Sequence, residues 1–333
     1  MRVLVDQHHA DLLYSLQLLF EDRLGFDLFV AKGHEWWDEG YWRFGEVWGD
    51  DRLAQQFLGL NDTYREVEPG IFLTFDPHHP ERPVYCITLA EAAGLSWDVV
   101  LATVQDNQAG FARFAREHGA QYLYQVGNTR QEIDWSLDPL VLNAADVTLE
   151  GRGVSISQEF DAHSTFGFRR PGHQNRVASF VNLLPLIPEA WRPFEELAKL
   201  LPEYRFRSFG HDCPDGLLRP VGNLADEMGR TGWAFHDKVT GDGFGHVIHN
   251  WAAIGRPLIG HASYYRGQRA EVFWQDGVTC LDLDLHSFEE AARIIRDTTP
   301  EQHAAMCIAI RSEFDRAYQP KRDADLVAKA LGL

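Results

Sequence analysis

Short apolar runs typical of strands alternate with amphipathic stretches typical of helices along most of this sequence. Residues 2–6 form the first apolar run, residues 10–24 carry leucines at helical spacing, and residues 26–30 form the next run. Alternation of this kind predicts mostly parallel strands joined by helical crossovers, with helices on both faces of each sheet. We therefore expect an α/β protein of the doubly wound type.

The alternation is interrupted twice. Residues 33–85 are rich in tryptophan and proline, and we interpret them as an aromatic-rich insertion with a short helix or two. Residues 161–176 break all periodicity and are the candidate linker. Because 333 residues exceed what one hydrophobic core usually organises, we expect an N-terminal domain in residues 1–172, a second domain in residues 173–320 and a final helix in residues 321–333.

Composition and charge disfavour several classes of protein. With 45% hydrophobic and 24% charged residues, the chain resembles soluble globular proteins, and no apolar run reaches membrane-spanning length. The formal net charge of -18 disfavours a long nucleic-acid footprint without excluding a local basic patch. Four scattered cysteines without C-x-x-C spacing argue against a zinc site or a disulfide framework, and no signal-peptide pattern opens the sequence. We expect a cytoplasmic protein.

A glycine-rich turn in the second half is the strongest candidate for a site. Residues 233–238 are strand-like, and the sequence GDGFGHVIHNW, which starts at Gly241, leads through Gly243 and Gly245 into a helix. A helix that begins on glycines presents free backbone N–H groups and the positive end of its dipole, which suits a phosphate. An ordinary βα turn is the alternative. Neither G-x-G-x-x-G nor a P-loop pattern is present, so neither a dehydrogenase nor a P-loop enzyme follows.

The residues around this turn resemble a signature of GT-B glycosyltransferases. The run DGFG at residues 242–245, a helix of small residues and GRPLI at residues 255–259 are similar to the acid-Gly-Phe-Gly and Gly-x-Pro-hydrophobic segments of that family. DGVTCL at residues 276–281 resembles a segment that follows the donor site in many members. The resemblance implies two Rossmann-like domains facing a cleft. It also implies that the C-terminal domain binds the nucleotide sugar and that the final helix packs back on the N-terminal domain.

The resemblance also implies candidate donor contacts. Two glutamates frame the helix in many retaining members, and Asp242 and Asn250 occupy those positions here, so a retaining outcome does not follow. The basic residues that neutralise the diphosphate in the family have no clear match, and we take Lys238 or Arg266 as substitutes. The expected donor contacts are Asp242, Gly243, Phe244, Gly245, His246, Asn250, Lys238, Tyr265 and Arg266.

We expect acceptor activation at the carboxyl end of the first strand. Asp6, His8 and His9 follow that strand, and doubly wound proteins bind ligands at carboxyl strand ends. Some inverting members of the family use a histidine in this loop to deprotonate the acceptor hydroxyl, because imidazole titrates near neutral pH. His9 or His8 is the candidate base, with Asp6 orienting it. The alternative is a helix N-terminus whose histidines bond only to the backbone.

Two further segments carry polar or aromatic patterns. The aromatic stretch at residues 36–48 is either a stacking platform or a small core under the insertion, and the second interpretation is favoured. Residues 280–286 alternate at strand period, which predicts a solvated sheet face carrying Asp282, Asp284 and His286.

We expect a glycosyltransferase that moves a hexosyl or similar sugar from a UDP- or GDP-linked donor to an acceptor hydroxyl. No flavin, nicotinamide or obligatory metal is expected. Three alternatives remain open at this point: a nucleotide-sugar epimerase of similar architecture, a binding protein with a degenerate site, and a phage-type transferase acting on DNA.

Overall fold

The structure is a computed structural model, and it describes residues 1–6, 10–42, 64–76, 78–170, 175–239 and 241–333. The chain divides into unit 1, which consists of Met1–Phe160 and Pro320–Leu333, and unit 2, which consists of Asp161–Gln319.

The strands of the described residues are β1 (Arg2–Val5), β2 (Asp27–Ala31), β3 (Arg65–Glu68), β4 (Ile71–Phe75), β5 (Pro83–Ile87), β6 (Val99–Ala102), β7 (Gln121–Val126), β8 (Leu140–Asn143), β9 (Gly153–Ser155), β10 (Arg176–Ser179), β11 (Arg205–Ser208), β12 (Trp233–Phe235), β13 (Leu258–Gly260) and β14 (Cys280–Asp282). The helices are α1 (Ala10–Gln17), α2 (Glu35–Asp38), α3 (Leu89–Gly94), α4 (Gln108–Glu117), α5 (Pro188–Leu200), α6 (Val221–Arg230), α7 (His246–Ile254), α8 (Phe288–Asp297), α9 (Pro300–Ala317) and α10 (Pro320–Leu331). A π-helical segment, Leu18–Arg23, continues α1, and 3₁₀ turns lie at Gln105–Asn107, Trp135–Leu137, Leu184–Leu186, Ala262–Tyr265 and Arg269–Phe273.

The described strands of unit 1 form a nine-stranded sheet in the order β3-β4-β5-β2-β1-β6-β7-β8-β9. All neighbouring pairs from β5 to β9 are parallel. In the central strand β1, Val3, Leu4 and Val5 are fully buried, and Leu4 pairs with Phe29 on one side and Val100 on the other. Continuous burial is characteristic of a central parallel strand, and it explains why this strand is an unbroken apolar run in the sequence.

The insertion differs from the sequence prediction, because it adds strands as well as a short helix. β3 and β4 pair antiparallel to each other, and β4 pairs antiparallel to β5, so they extend the sheet at one edge. All residues of β3 are exposed, and an exposed edge strand lacks the apolar alternation by which a strand is recognised. Of the aromatic stretch, Trp36 and Trp42 are buried in the core of unit 1, which supports the core interpretation for these residues. Phe44 and Trp48 lie outside the described residues.

The described strands of unit 2 form a parallel five-stranded sheet in the order β11-β10-β12-β13-β14. Helices α5 and α8 pack together over the core that contains Leu197, Phe235 and Ile295. Helix α7 packs against α6 and α9. Because all strands run in the same direction, their carboxyl ends meet at one edge of the sheet, and that edge holds the candidate site. The doubly wound α/β class expected from the alternation is confirmed.

The C-terminal helix α10 belongs to unit 1. It packs against β9 and the π-helical segment. The buried carboxylate of Asp323 accepts a hydrogen bond from the Ser157 backbone N–H at 2.8 Å. Unit 1 is therefore made from two separate stretches of the sequence.

Candidate functional site

Three neighbouring strands of unit 2 end in polar residues. His236 and Asp237 follow β12, His261 follows β13, and Asp282 ends β14. The strands lie side by side in the order β12-β13-β14. The sheet therefore brings these side chains to one edge, although they are far apart in the sequence.

The glycine turn connects β12 to α7 and has a conformation that only glycine adopts easily. Gly245 precedes the helix with φ 66° and ψ 79°, in the left-handed region. A Cβ atom at this position would lie 2.7 Å from Oδ2 of Asp242. The phenyl ring of Phe244 is fully buried and stacks on the imidazole of His249, with centroids 3.9 Å apart. The fold therefore fixes both the backbone and the one large side chain of the turn.

His249 holds the turn from inside the helix. Its Nδ1 lies 3.0 Å from the carbonyl oxygen of Gly245. Burial lowers the pKa of His249 to about 3, so the imidazole is neutral at neutral pH, and Nδ1 carries the proton that is donated to this carbonyl. The sequence pattern did not identify His249, because a histidine inside an amphipathic helix has no distinctive spacing.

The turn presents unused backbone donors. Within the described residues, no hydrogen bond has the backbone N–H of Gly243, Phe244 or Gly245 as its donor. These groups precede a nine-residue helix, whose dipole adds positive potential at this end. Free N–H groups and a helix N-terminus together form a site for an oxyanion such as a phosphate.

Asp242 is the centre of a charged network in the turn. Its Oδ1 pairs with the Lys238 ammonium group, and its Oδ2 lies 3.2 Å from Nε2 of His236. Burial alone would raise the pKa of Asp242, but the Lys238 charge and the His236 ring outweigh burial and lower it, so the carboxylate is ionised. A carboxylate has about four acceptor positions, so Asp242 retains capacity for a ligand hydroxyl.

The other expected donor contacts lie in different environments. Asn250 is buried on α7, and its Oδ1 has no hydrogen-bond partner among the described residues. His246 is half-buried at the start of α7, where its ring contacts Phe244. Tyr265 is fully buried: its hydroxyl accepts from the Lys238 backbone N–H at 3.2 Å and lies 3.3 Å from the His236 carbonyl oxygen. Arg266 is exposed.

The structure adds residues that the sequence pattern did not single out. Asp237 is fully buried, and its carboxylate accepts from the His261 backbone N–H at 3.1 Å and lies 2.8 Å from His261 Nδ1. Gln268 accepts from the Asp242 backbone N–H at 2.9 Å and donates from Nε2 to the Tyr264 carbonyl oxygen at 2.8 Å. The available sequence signal was the placement of polar residues directly after buried strands.

The expectation of a solvated face at residues 280–286 is wrong for Asp282. Strand β14 ends at Asp282, so the alternation does not continue to His286. The Asp282 carboxylate is buried and accepts from the backbone N–H groups of Ala262, at 3.1 Å, and Asp284, at 2.9 Å. Asp282 is buried because it accepts a hydrogen bond from the neighbouring loop, and the alternation of residues along a strand does not show such a contact.

In unit 1, Asp6 supports the loop that follows β6. It is fully buried and accepts hydrogen bonds from the Thr103 N–H and hydroxyl, the Val104 N–H and the Asn107 side-chain amide, at 2.8 to 3.0 Å. Burial raises the pKa of Asp6 against the opposing effect of these hydrogen bonds. His8 and His9 lie outside the described residues, so their role and their orientation by Asp6 stay predictions.

Solved structures share this architecture over their full length. HepE of Anabaena, solved with UDP-glucose, superposes with a TM-score of 0.62 at 13% identity, covering 99% of each chain. TarM of S. aureus, solved with UDP and other ligands, gives a TM-score of 0.63 at 9% identity over 100% of each chain. An α-glucosyltransferase solved with UDP and a 13-mer DNA gives 0.60 at 9% identity over 100% of each chain. The chain has the GT-B fold.

The GT-B fold was expected from the DGFG and GRPLI segments, and that expectation is confirmed. No protein-family model matches the sequence, and no curated protein sequence matches it. The short segments around the glycine turn therefore carried information about the GT-B fold that comparison of whole sequences does not recover.

The described part of this GT-B chain lacks two kinds of feature. No group of three or more His, Cys, Asp or Glu side chains there is placed to hold a metal ion. Nor does any helix among those residues combine the length and apolar character needed to cross a membrane.

Proposed function

We propose that this protein is a glycosyltransferase that moves a sugar from a UDP-linked donor to an acceptor hydroxyl. The observation that carries the proposal is the set of unused N–H groups at Gly243, Phe244 and Gly245, at the N-terminus of α7. Chains of the same fold have been solved with UDP or UDP-glucose, which supports a uridine nucleotide as the ligand.

Each part of the turn has a proposed role. The backbone N–H groups and the dipole of α7 bind the diphosphate, with His246 beside them. Asp242 and Asn250 bind hydroxyls of the sugar and the ribose, and the unpartnered Oδ1 of Asn250 is available as an acceptor for such a hydroxyl. Lys238, which forms an ion pair with Asp242, contributes positive potential at the diphosphate. Arg266 is the second cation that we assign to this role, and the Tyr265 hydroxyl holds the Lys238 backbone by accepting its N–H.

In the proposed reaction, the acceptor oxygen forms a bond to the anomeric carbon while the bond between that carbon and the β-phosphate oxygen breaks. The electron pair leaves with the nucleoside diphosphate, and the acceptor proton passes to a base, for which His9 or His8 remains the candidate. Stabilisation of the leaving diphosphate by fixed N–H donors lowers the barrier. The scheme uses no flavin, nicotinamide or obligatory metal, and we place it in the cytoplasm.

Titration calorimetry with UDP-glucose tests the donor site. We expect binding by the wild-type protein, and we expect Gly245→Ala to weaken it about tenfold or more, roughly 1.4 kcal/mol or above. The new Cβ atom would meet Asp242 at 2.7 Å and force the turn to shift. Gly216→Ala is the matched control, because Gly216 has φ 70° in the same unit but no atom lies within 4 Å of the position that a Cβ would take. Absence of binding to UDP- and GDP-linked sugars by the wild-type protein would overturn the proposal.

The same preparation separates the alternatives. Epimerised sugar formed without an acceptor would select an epimerase, and donor binding without nucleotide release across a panel of acceptors would select a binding protein. Salt-dependent retention on DNA would select the DNA transferase. DNA binding is measured because an α-glucosyltransferase of the same fold has been solved with DNA. The net charge of -18 opposes that alternative.

A further inference from the structure

A histidine and a buried carboxylate form a pair beside the glycine turn. Nδ1 of His261 lies 2.8 Å from Oδ2 of Asp237, and the His261 backbone N–H donates to Oδ1 of the same carboxylate at 3.1 Å. Asp237 is fully buried, whereas the His261 side chain is 18% exposed. The Nδ1 contact orients the ring and the backbone contact holds the residue against the same carboxylate, and neither contact uses Nε2. No hydrogen bond among the described residues uses that Nε2.

The loop that carries His261 is hydrogen-bonded to the glycine turn. Gln268, at the end of this loop, accepts from the Asp242 backbone N–H and donates to the Tyr264 carbonyl oxygen. The Tyr265 hydroxyl accepts from the Lys238 backbone N–H on the segment that leads into the turn. The His261 loop and the turn therefore form one hydrogen-bonded structure at the carboxyl edge of the sheet.

The backbone N–H groups that follow His261 are already committed to carboxylates. Asp284 accepts from the Ser263 backbone N–H at 2.7 Å and from the Ser263 hydroxyl at 3.0 Å. Asp282 accepts from the Ala262 backbone N–H. The loop backbone therefore does not offer these N–H groups to a phosphate. Nε2 of His261 and the N–H groups of the turn donate no hydrogen bond among the described residues, and together with Lys238 and Arg266 they form a set that suits an anion.

The surroundings of His261 favour its charged form. The titratable groups that face the ring are Asp237 after β12, Asp282 and Asp284 at the end of β14, and Tyr264 on the same loop. Burial alone would lower the pKa of His261, but the hydrogen bond and charge of Asp237, with the charges of Asp284 and Asp282, outweigh it and raise the pKa. The ring therefore keeps a proton on Nε2 at a higher pH than an ordinary histidine does.

We propose that His261, oriented by Asp237, donates a charge-assisted hydrogen bond from Nε2 to the diphosphate of the nucleotide-sugar donor. This inference rests on the proposed function and adds a cation that the sequence pattern does not show. The contact strengthens as the reaction proceeds, because the electron pair of the breaking glycosidic bond moves onto the β-phosphate oxygen. His261 is the binding residue in this scheme, and Asp237 is its positioning residue.

The test is the pH dependence of UDP-glucose binding, measured by calorimetry between about pH 6 and about pH 9 without an acceptor. UDP-glucose is the probe because its diphosphate diester does not change ionisation in this range. The wild-type affinity should fall as the pH rises through the pKa of His261, since the cationic donor is lost. His261→Ala should bind about tenfold more weakly at the low end of the range and should lose this pH dependence. His261→Gln, which keeps a neutral N–H donor, should be intermediate and independent of pH.

Asp237→Asn provides the second variant. It keeps a hydrogen-bonding side chain but removes the charge that holds the proton on His261, so the midpoint of the affinity loss should move to lower pH. His286→Ala is the matched control, because His286 forms another histidine–carboxylate pair in unit 2, with Nε2 3.0 Å from Asp276. It should retain the wild-type profile.

The outcomes separate the two proposals. If the wild-type protein binds UDP-glucose while His261→Ala keeps its affinity and pH profile, the His261 inference is overturned and the donor site stands. An unchanged midpoint in Asp237→Asn also contradicts the inference. If the wild-type protein binds no nucleotide sugar at any pH, the proposed function fails, and the role of His261 fails with it.

Discussion

At the scale of single residues, Arg256, the cation of the GRPLI segment, binds backbone carbonyl oxygens. Its guanidinium group is fully buried. It donates to the backbone carbonyl oxygens of Arg169 and Gly229, both at 2.7 Å, and of Ile254 and Gly255. Burial lowers the pKa of Arg256 to about 10, which still leaves it charged at neutral pH. Arg256 therefore joins α6, α7 and the segment before β10 through main-chain contacts.

Replacement of Arg256 should destabilise the protein. In Arg256→Met the apolar stem remains, but the carbonyl oxygens of Arg169, Gly229 and Gly255 lose this donor. The Ile254 carbonyl oxygen keeps the Arg169 backbone N–H as a donor. A buried acceptor left without a partner is costly. We expect the free energy of unfolding to fall by roughly 3 kcal/mol or more, measured by urea denaturation. The exposed Arg266→Met is the control and should stay within about 0.5 kcal/mol of the wild type. Equal stability of the two variants would show that the carbonyl contacts contribute little.

At the scale of secondary-structure elements, α7 is fixed at its N-terminus by the stacked pair of Phe244 and His249. The pair is internal to one turn–helix segment, and the imidazole N–H also satisfies the Gly245 carbonyl oxygen. A turn rich in glycines loses considerable backbone entropy when it becomes ordered. The stacking of the imidazole on the Phe244 ring offsets part of that cost in the folded protein, so the donor site that we propose is ordered before the nucleotide sugar binds.

His249→Leu tests this role. Leucine keeps an apolar side chain in the helix but removes both the stacked ring and the N–H donor. We expect a loss of roughly 1–3 kcal/mol in the free energy of unfolding, because the Gly245 carbonyl oxygen loses the imidazole donor and the Phe244 ring loses its stacked partner. The His249 backbone N–H still donates to that carbonyl oxygen. UDP-glucose affinity should fall several-fold in the same variant, measured by calorimetry. A variant that loses stability but binds the donor with unchanged affinity would restrict His249 to a structural role.

The sequence predicted an element well where its buried apolar residues recur at the spacing of a helix or strand. It predicted an exposed element poorly. The buried strands β1, β6 and β12 and the helices α8 and α9 follow apolar patterns that anticipate them to within a few residues. The exposed strand β3 has no such pattern, and it forms because β4 supplies its hydrogen bonds. The glycine turn was predicted from local spacing, whereas the contact of Asp237 with His261 joins two strands and depends on their register.

At the scale of the whole molecule, the chain completes unit 1 with a helix from the opposite end of the sequence. Asp323 on α10 is buried against the Ser157 backbone N–H, and Arg322 contacts the same carboxylate. The length of the chain predicted two domains, but the spacing of apolar residues in an amphipathic helix does not show which surface the helix packs on. Tertiary contacts such as that of Asp323 with Ser157 determine the surface.

Asp323→Ala tests the attachment of α10. The Ser157 N–H would lose its carboxylate acceptor in a buried position, so we expect the free energy of unfolding of unit 1 to fall by about 1–3 kcal/mol. Thermal unfolding, followed by a probe in each unit, measures the effect. Asp325→Ala, on an exposed face of the same helix, is the matched control and should change stability by less than about 0.5 kcal/mol. A similar loss in both variants would mean that helix propensity, not the Ser157 contact, accounts for the effect.

The divided sequence of unit 1 has a consequence for biosynthesis. Residues 320–333 follow unit 2 in the chain, so a ribosome must translate all of unit 2 before the helix that packs against β9 is made. Domains generally fold as they emerge during synthesis. The sheet of unit 1 must therefore wait, with that surface uncovered, until unit 2 and the helix that follows it have been synthesised.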